Sequence, residues 1–225
     1  VDKSGKITGW QQRIVGQSIL AGSPLDSGAP VDFTSVEGAA NLPYAIPNLA
    51  VELHTTKLGV PIQWWRSVGS THTAYAIEGF LDEIARATKQ DPVELRRTLL
   101  ADKPRHLAVL NAVAQKVNWG TAPADVKGQK VFRGLAQTHG FGSYVAACAE
   151  VSVSANGELT IHRIVAATDP GYAVNPQQIE AQVEGSFAYG LSAALFGECT
   201  VKDGRIEQDN FNAYPVVLMR HMPRV

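Results

Sequence analysis

The apolar period of the chain changes near residue 70 and changes back near residue 130, and this double switch limits the folds open to it. Before the first switch the pattern is close to two. Residues 7–20, with Ile14, Val15, Ile19 and Leu20, read as a strand. "NLAVELHTT" (48–56) reads as a half-buried strand, and "VPIQWWRS" (60–67) as another that ends at Arg66. From Ala74 the apolar positions are Ile77, Phe80, Leu81, Ile84 and Ala85, one face of an amphipathic helix starting near Ser70 or Thr71. Asp82, Glu83 and Arg86 fall on its wet face. "DPVE" (91–94) starts a second helix, with Asp91 as cap, Pro92 at the first position and Glu94 reaching back. A third is expected from Pro104 to Val117.

After a loop at 120–131, "FRGLAQTHGFGSYVAACAEVSV" reads as two β segments meeting at the glycines. Asn156-Gly157 joins "AEVSVSA" to "ELTIHRIV" as a hairpin. Asn175 caps and Pro176 begins a helix ending at Gly197, and Asp203-Gly204 is a last turn. In that helix Ala181, Gly185, Ser186, Ala188, Gly190, Ala193 and Ala194 are small. Two interior glycines cost about 1 kcal/mol each, which predicts a second backbone packed close by. The order predicts an α+β fold of mixed, largely antiparallel sheets with packed helices. Two subdomains, 1–128 and 129–225, are expected. The turn at Asp2–Lys6 and the apolar close "VLMRHMPRV" suggest a piece of a longer polypeptide, cut within β structure at both ends.

Several function classes are set aside by composition. Twenty basic against 21 acidic residues give a net charge of −1, without the basic stripe of a nucleic-acid binder. No apolar run reaches the roughly 20 residues needed to cross a bilayer. Cys148 and Cys199 both lie in apolar stretches and read as buried free thiols. The six histidines never take a metal-ligand spacing, and no G-x-S-x-G elbow is present.

"WWRSVGSTHT" (64–73) carries the candidate chemistry. A helix N-terminus beside a guanidinium, with Ser67, Gly69 and Ser70 giving close access to the backbone, is an anion site. On residue chemistry alone the alternative is equally open: Ser70 or Thr71 caps the helix while Arg66 pairs with a surface carboxylate. Gln182, among small residues, reads as a solvent-facing glutamine.

"WWRSVGSTHTAYAIEGFLDEIA" and "VNPQQIEAQVEGSFAYGLSAALFGE" together resemble the molybdopterin-binding large subunit of the xanthine dehydrogenase/aldehyde oxidase family, within it the bacterial branch of the isoquinoline 1-oxidoreductase β chains. "IVGQSIL", "VEGAANLPYAIPNL" and "FGSYVAACAEVSV" extend the likeness over essentially the whole chain. The resemblance implies a fold like the molybdenum-binding domain of xanthine and aldehyde oxidases. It implies a molybdenum-bearing molybdopterin, in its cytosine dinucleotide form, and a small partner subunit with two 2Fe-2S clusters. It also implies hydroxylation of N-heteroaromatics or aldehydes with oxygen from water. Arg66 matches the arginine that borders the cofactor, with Ser67, Gly69 and Ser70 beside it. Trp65 and Val68 match the two phenylalanines of that stretch, one of which lines the substrate cleft, although Val68 is not aromatic. Gln182 matches the glutamine of a Gln-Val-Glu-Gly motif that touches the pterin.

The family's base is a glutamate in a Gly-Glu-(Gly/Pro)-Pro motif, which does not occur in these 225 residues; its Gly-Gln-Gly cofactor segment is missing too. Glu198 in "GEC" reads as structural. No catalytic residue and no metal ligand is therefore expected in this chain. Base and metal would come from the remainder of the same large subunit, with a cytochrome c as a possible electron acceptor. The family suggests a periplasmic site, with the cytoplasm as alternative. The competing reading is a non-catalytic scaffold in which residues 21–48 and the Trp pair form a subunit interface.

Overall fold

A computed structural model describes residues 1–60, 62 and 64–225. Strand β1 (Trp10–Gly16) pairs in parallel with β2 (Leu49–Thr55), Trp10 opposite Leu49 and Gly16 opposite Thr55. A parallel pair needs a long crossover, and residues 17–48 provide it, carrying the short helix α1 (Phe33–Val36). Asp32 caps α1 through Thr34 N–H at 2.9 Å. The strand expected over 7–20 stops at Gly16, where the Gln17 side chain takes over by donating to the Val60 carbonyl at 2.8 Å.

Helices α2 (Ser70–Thr88), α3 (Pro92–Leu99) and α4 (Pro104–Lys116) follow in the expected order. Asp91 Oδ1 caps α3 through Val93 and Glu94 N–H, whereas the Glu94 side chain pairs with Arg97 instead of reaching back. The sheet β3 (Phe132–Gly140), β4 (Ser143–Val153) and β5 (Leu159–Asp169) is antiparallel throughout. Phe141 and Gly142 close its first hairpin with φ of +51° and +80°, the two left-handed residues that a tight hairpin turn uses. Helix α5 (Pro176–Leu195) begins at the predicted cap, Asn175, and β6 (Val201–Lys202) and β7 (Arg205–Ile206) flank Asp203-Gly204. The apolar close is not a strand. A 3-10 turn spans Met219–His221, and only Arg224 bridges to β5.

Side chains of alternate positions decide which face of the sheet is covered. Leu135, Ala146, Cys148, Val165 and Ala167 pack with Leu110, Val113 and Ala114 of α4 in one core that also takes Leu81 of α2 and Leu100. This core crosses the 128/129 boundary read from the sequence. The other face carries Gly134, Ala136, Ala147, Ala149 and Ala166 in register, and bounds a cleft of about 1040 Å³ with Phe80 of α2 and Phe187 of α5.

Helix α2 departs from its expected face at two positions. Phe80 is half exposed and meets Trp10 edge to face at 5.2 Å, while Glu78 is buried. Glu78 turns inward because Arg96 of α3, wholly buried, donates Nε–H to its carboxylate at 2.9 Å and a second N–H to its backbone carbonyl at 2.9 Å. Tyr44 O–H donates to the other Glu78 oxygen at 2.6 Å, and Gln137 N–H to the first at 2.9 Å. Asp82 completes the Arg96 shell at 2.7 Å. Burial pushes the Glu78 carboxyl up from the usual carboxylate value, opposed by Arg96 and these donors.

The two thiols separate. Cys148 lies inside the α4–sheet contact, and burial pushes its thiol up to about 11. Cys199 is exposed, against the sequence expectation, because the last turn after α5 is not covered. In native protein at pH 8, Ellman's reagent is expected to titrate one thiol at once, and Cys199→Ser to remove that fast phase. Fast reaction at Cys148 would contradict the packing.

Candidate functional site

Residues 64–69 are not the end of a strand. Among the described residues of 60–67 none is in a ladder, and Pro61 and Gln63 lie outside the described residues. Residues 66–69 form a turn in which the Trp65 carbonyl accepts from Val68 N–H at 3.0 Å. The segment's strand propensity loses to tertiary contacts, since its side chains are used across the molecule. Val68, half buried, takes φ of +48°, a strained value for a β-branched residue.

Gly69 is the N-cap of α2, and no side chain caps the helix, so neither Ser70 nor Thr71 plays that part. The first turn is docked on α1. A Cβ on Gly69 would stand 2.0 Å from the Thr34 carbonyl oxygen, and one on Gly38 would stand 2.4 Å from Thr73 Oγ1. Thr73 O–H donates to the Glu37 carbonyl at 2.6 Å, and His72 Nε2 lies 3.1 Å from the Ser35 carbonyl. Ser70 Oγ faces Gly38 in the same contact. Ser67 and Thr71 hydroxyls pair at 2.7 Å. Gly69 and Ser70 thus hold the turn in place from beneath.

Arg66 and Trp65 leave the turn on its outer side and reach α5. An Arg66 N–H donates to the Gln182 side-chain oxygen across 116 positions of sequence. Trp65 meets Tyr189 edge to face at 6.5 Å. Gln182 and Tyr189 are seven residues apart, two turns along one helix face, so both contacts fix the same stripe of α5. Arg66 pairs with no carboxylate among the described residues, which removes the surface ion pair as its role. Because Gln182 spends its oxygen on Arg66, its amide N–H groups and the remaining guanidinium N–H groups form a donor-rich surface. Tyr189 lies inside the 174–198 stretch that carries the resemblance, and an aromatic in a helix of small residues was the signal that could have singled it out.

The close backbone partner predicted for α5 is not found. No α5 residue is buried, and added Cβ atoms on Gly185 and Gly190 would meet nothing within 4 Å among the described residues. The donor pair and this open, small-residue stripe lie side by side. Such a surface suits a flat, acceptor-rich group with anionic oxygens, which Arg66 and Gln182 would hold by its polar edge.

The chain also resembles known proteins. A model of the molybdopterin cofactor-binding domain matches residues 65–223, and a second model of that description matches residues 1–100. The chain belongs to the molybdopterin cofactor-binding domain family, in line with its resemblance to xanthine dehydrogenase-type proteins. It is 32% identical to the beta subunit of isoquinoline 1-oxidoreductase of Brevundimonas diminuta over 81% of this chain and 23% of that protein. It is 27% identical to a nicotinate dehydrogenase subunit of Pseudomonas putida, over 81% of this chain and 16% of that protein. It is 30% identical to a membrane-bound aldehyde dehydrogenase (pyrroloquinoline-quinone) of Gluconacetobacter polyoxogenes, over 72% and 23%. The chain therefore spans about a fifth of the length of these relatives.

Proposed function

We propose that this chain forms one wall of the cofactor site of a molybdenum hydroxylase. The Arg66–Gln182 contact carries the reading, because it joins the two motifs of the family resemblance into one donor surface. Arg66 and Gln182 would hold the polar edge of a molybdopterin, in cytosine dinucleotide form by resemblance. Trp65 and Tyr189, which meet edge to face beside that surface, would flank the substrate side of the cofactor. Ser67, Gly69 and Ser70 position Arg66 by fixing the turn. When bound, the cofactor supplies the molybdenum redox chemistry that hydroxylates an N-heteroaromatic or aldehyde with oxygen from water. The base, the 2Fe-2S partner that accepts electrons and any cytochrome c lie outside this chain, and a periplasmic site rests on the family resemblance. The names of the first two relatives support membership of a multi-subunit oxidoreductase.

The test uses full-length protein with Arg66→Ala and Gln182→Ala, each exposed enough to leave folding intact. Loss of a charge-assisted contact is worth about 1.5–3 kcal/mol, so molybdenum and pterin content should fall roughly tenfold or more. Wild-type contents in both variants would overturn the reading. The exposed Trp64 and Trp65 and the unburied α5 favour a second reading, a docking scaffold without activity. A cofactor-free full-length protein that still binds its iron–sulfur partner would favour that one.

A further inference from the structure

A second cleft, of about 400 Å³, lies at the N-terminus of α4, and no residue of the Arg66–Gln182 site lines it. Lys103, Arg105, His106, His139, Tyr144 and Asn41 line it, and no lining residue is acidic. The helix end adds a positive dipole, and Pro104 opens the helix with no side-chain cap.

His106 is the unusual member. It is 4% exposed, yet only one ring nitrogen is partnered: Nδ1 meets Gln137 Oε1 at 2.5 Å. The buried network sets the direction of that bond. Tyr44 gives its proton to Glu78, so its oxygen accepts from Gln137 Nε2–H at 2.7 Å. Gln137 Oε1 must then accept, and His106 Nδ1 must donate. The lone pair is left on Nε2, which has no partner among the described residues and is not a sealed buried atom. His106 itself lines the cleft, so the cleft is where this accessible nitrogen can meet a ligand. Protonation at Nε2 adds a charge and a donor there without breaking the Gln137 bond.

We propose that this cleft binds a tetrahedral oxyanion, sulfate or a phosphate group, with proton uptake at His106. Lys103 at the N-cap of α4 and Arg105 and His106 in its first turn meet it, and His139 meets it from β3. The Arg105 guanidinium stacks over the Tyr144 ring of β4 at 4.2 Å and is held by Asp169 of β5 at 2.7 and 2.9 Å. Asp169 thus aims Arg105 while offsetting part of its charge, and Asp102 lies 3.4 Å from Lys103. Glu37 acts on His139 from the α1 side. Burial holds both imidazoles below their ordinary value, with neighbouring cations adding to the effect at His106. These surroundings favour neutral rings, and an entering anion reverses that balance.

Calorimetric titration of the full chain with sulfate tests this, because sulfate does not itself take up protons between pH 5 and 8. Binding should be about tenfold tighter at pH 5.5 than at pH 7.5. Its heat should change between buffers of different ionisation enthalpy, reporting the proton taken up. Lys103→Ala, at an exposed position, should weaken binding about three- to tenfold, and His106→Gln should remove the pH dependence. A parallel titration with glycerol 2-phosphate distinguishes a free oxyanion, if it is excluded, from a phosphate on a larger ligand, if it binds equally. No sulfate binding at pH 5.5, or binding untouched by pH and by Lys103→Ala, overturns the proposal.

Discussion

Arg96→Ala is expected to lower the unfolding free energy by about 3–5 kcal/mol, the largest loss expected of any single substitution named for this chain. The side chain is wholly buried and gives four hydrogen bonds, to both Glu78 groups, to Asp82 and to the Pro92 carbonyl. Its removal leaves Glu78 as a buried carboxylate without a counter-charge. Urea midpoints measure the loss, and pH gives it a signature. Without Arg96, burial raises the Glu78 carboxyl still further, so the folded variant binds a proton more tightly than the unfolded chain. Stability of that kind is present at low pH and is lost as pH rises through the raised value. The deficit should therefore be smaller at pH 5 than at pH 8. A deficit under about 1 kcal/mol, or one that grows on acidification, would contradict the network.

Gly69→Ala should cost about 3 kcal/mol, at the upper end of overpacking losses. The added methyl would meet a backbone oxygen at 2.0 Å and Glu37 Cβ at 3.1 Å, so α1 and the first turn of α2 must separate. A companion substitution in the same helix, Gly79→Ala, meets nothing within 4 Å and should gain about 0.5–1 kcal/mol from helix propensity. The contrast isolates contact from propensity. Because Gly69 holds the turn from which Arg66 leaves, Gly69→Ala should also lower molybdenum content of the full-length protein, whereas Gly79→Ala should not. Equal stability of the two variants would remove the docking argument.

Local signals were legible where one element decides its own conformation. The caps at Asp91 and Asn175, the prolines after them, and the two glycine turns of the β3–β5 sheet act within a few residues, and each stands where the sequence placed it. The short α1 was not legible, since its four residues lie in a Gly- and Pro-rich excursion and gain their order by carrying Gly69. Among the described residues of the strand read over 60–67 none is in a ladder, for a related reason. Trp65 and Arg66 reach α5, which no local pattern records. The inward Glu78 was hidden because Arg96, which makes its burial tolerable, stands 18 positions away on another helix. In the candidate site, Arg66 and Gln182 could each be picked out by motif, but their contact, the outward Tyr189 and the downward-facing Gly69 and Ser70 belong to tertiary geometry.

The 116 positions between Arg66 and Gln182 also have a meaning in time. A ribosome adding roughly 5–20 residues per second delivers the second residue about 6–23 s after the first. In that interval helices α2 to α4 and the three-stranded sheet can close their shared core, while the outer edge of the turn still lacks its partner. The donor surface thus forms after the helices and sheet that lie between its two halves, and a cofactor that needs both residues would meet those elements already built.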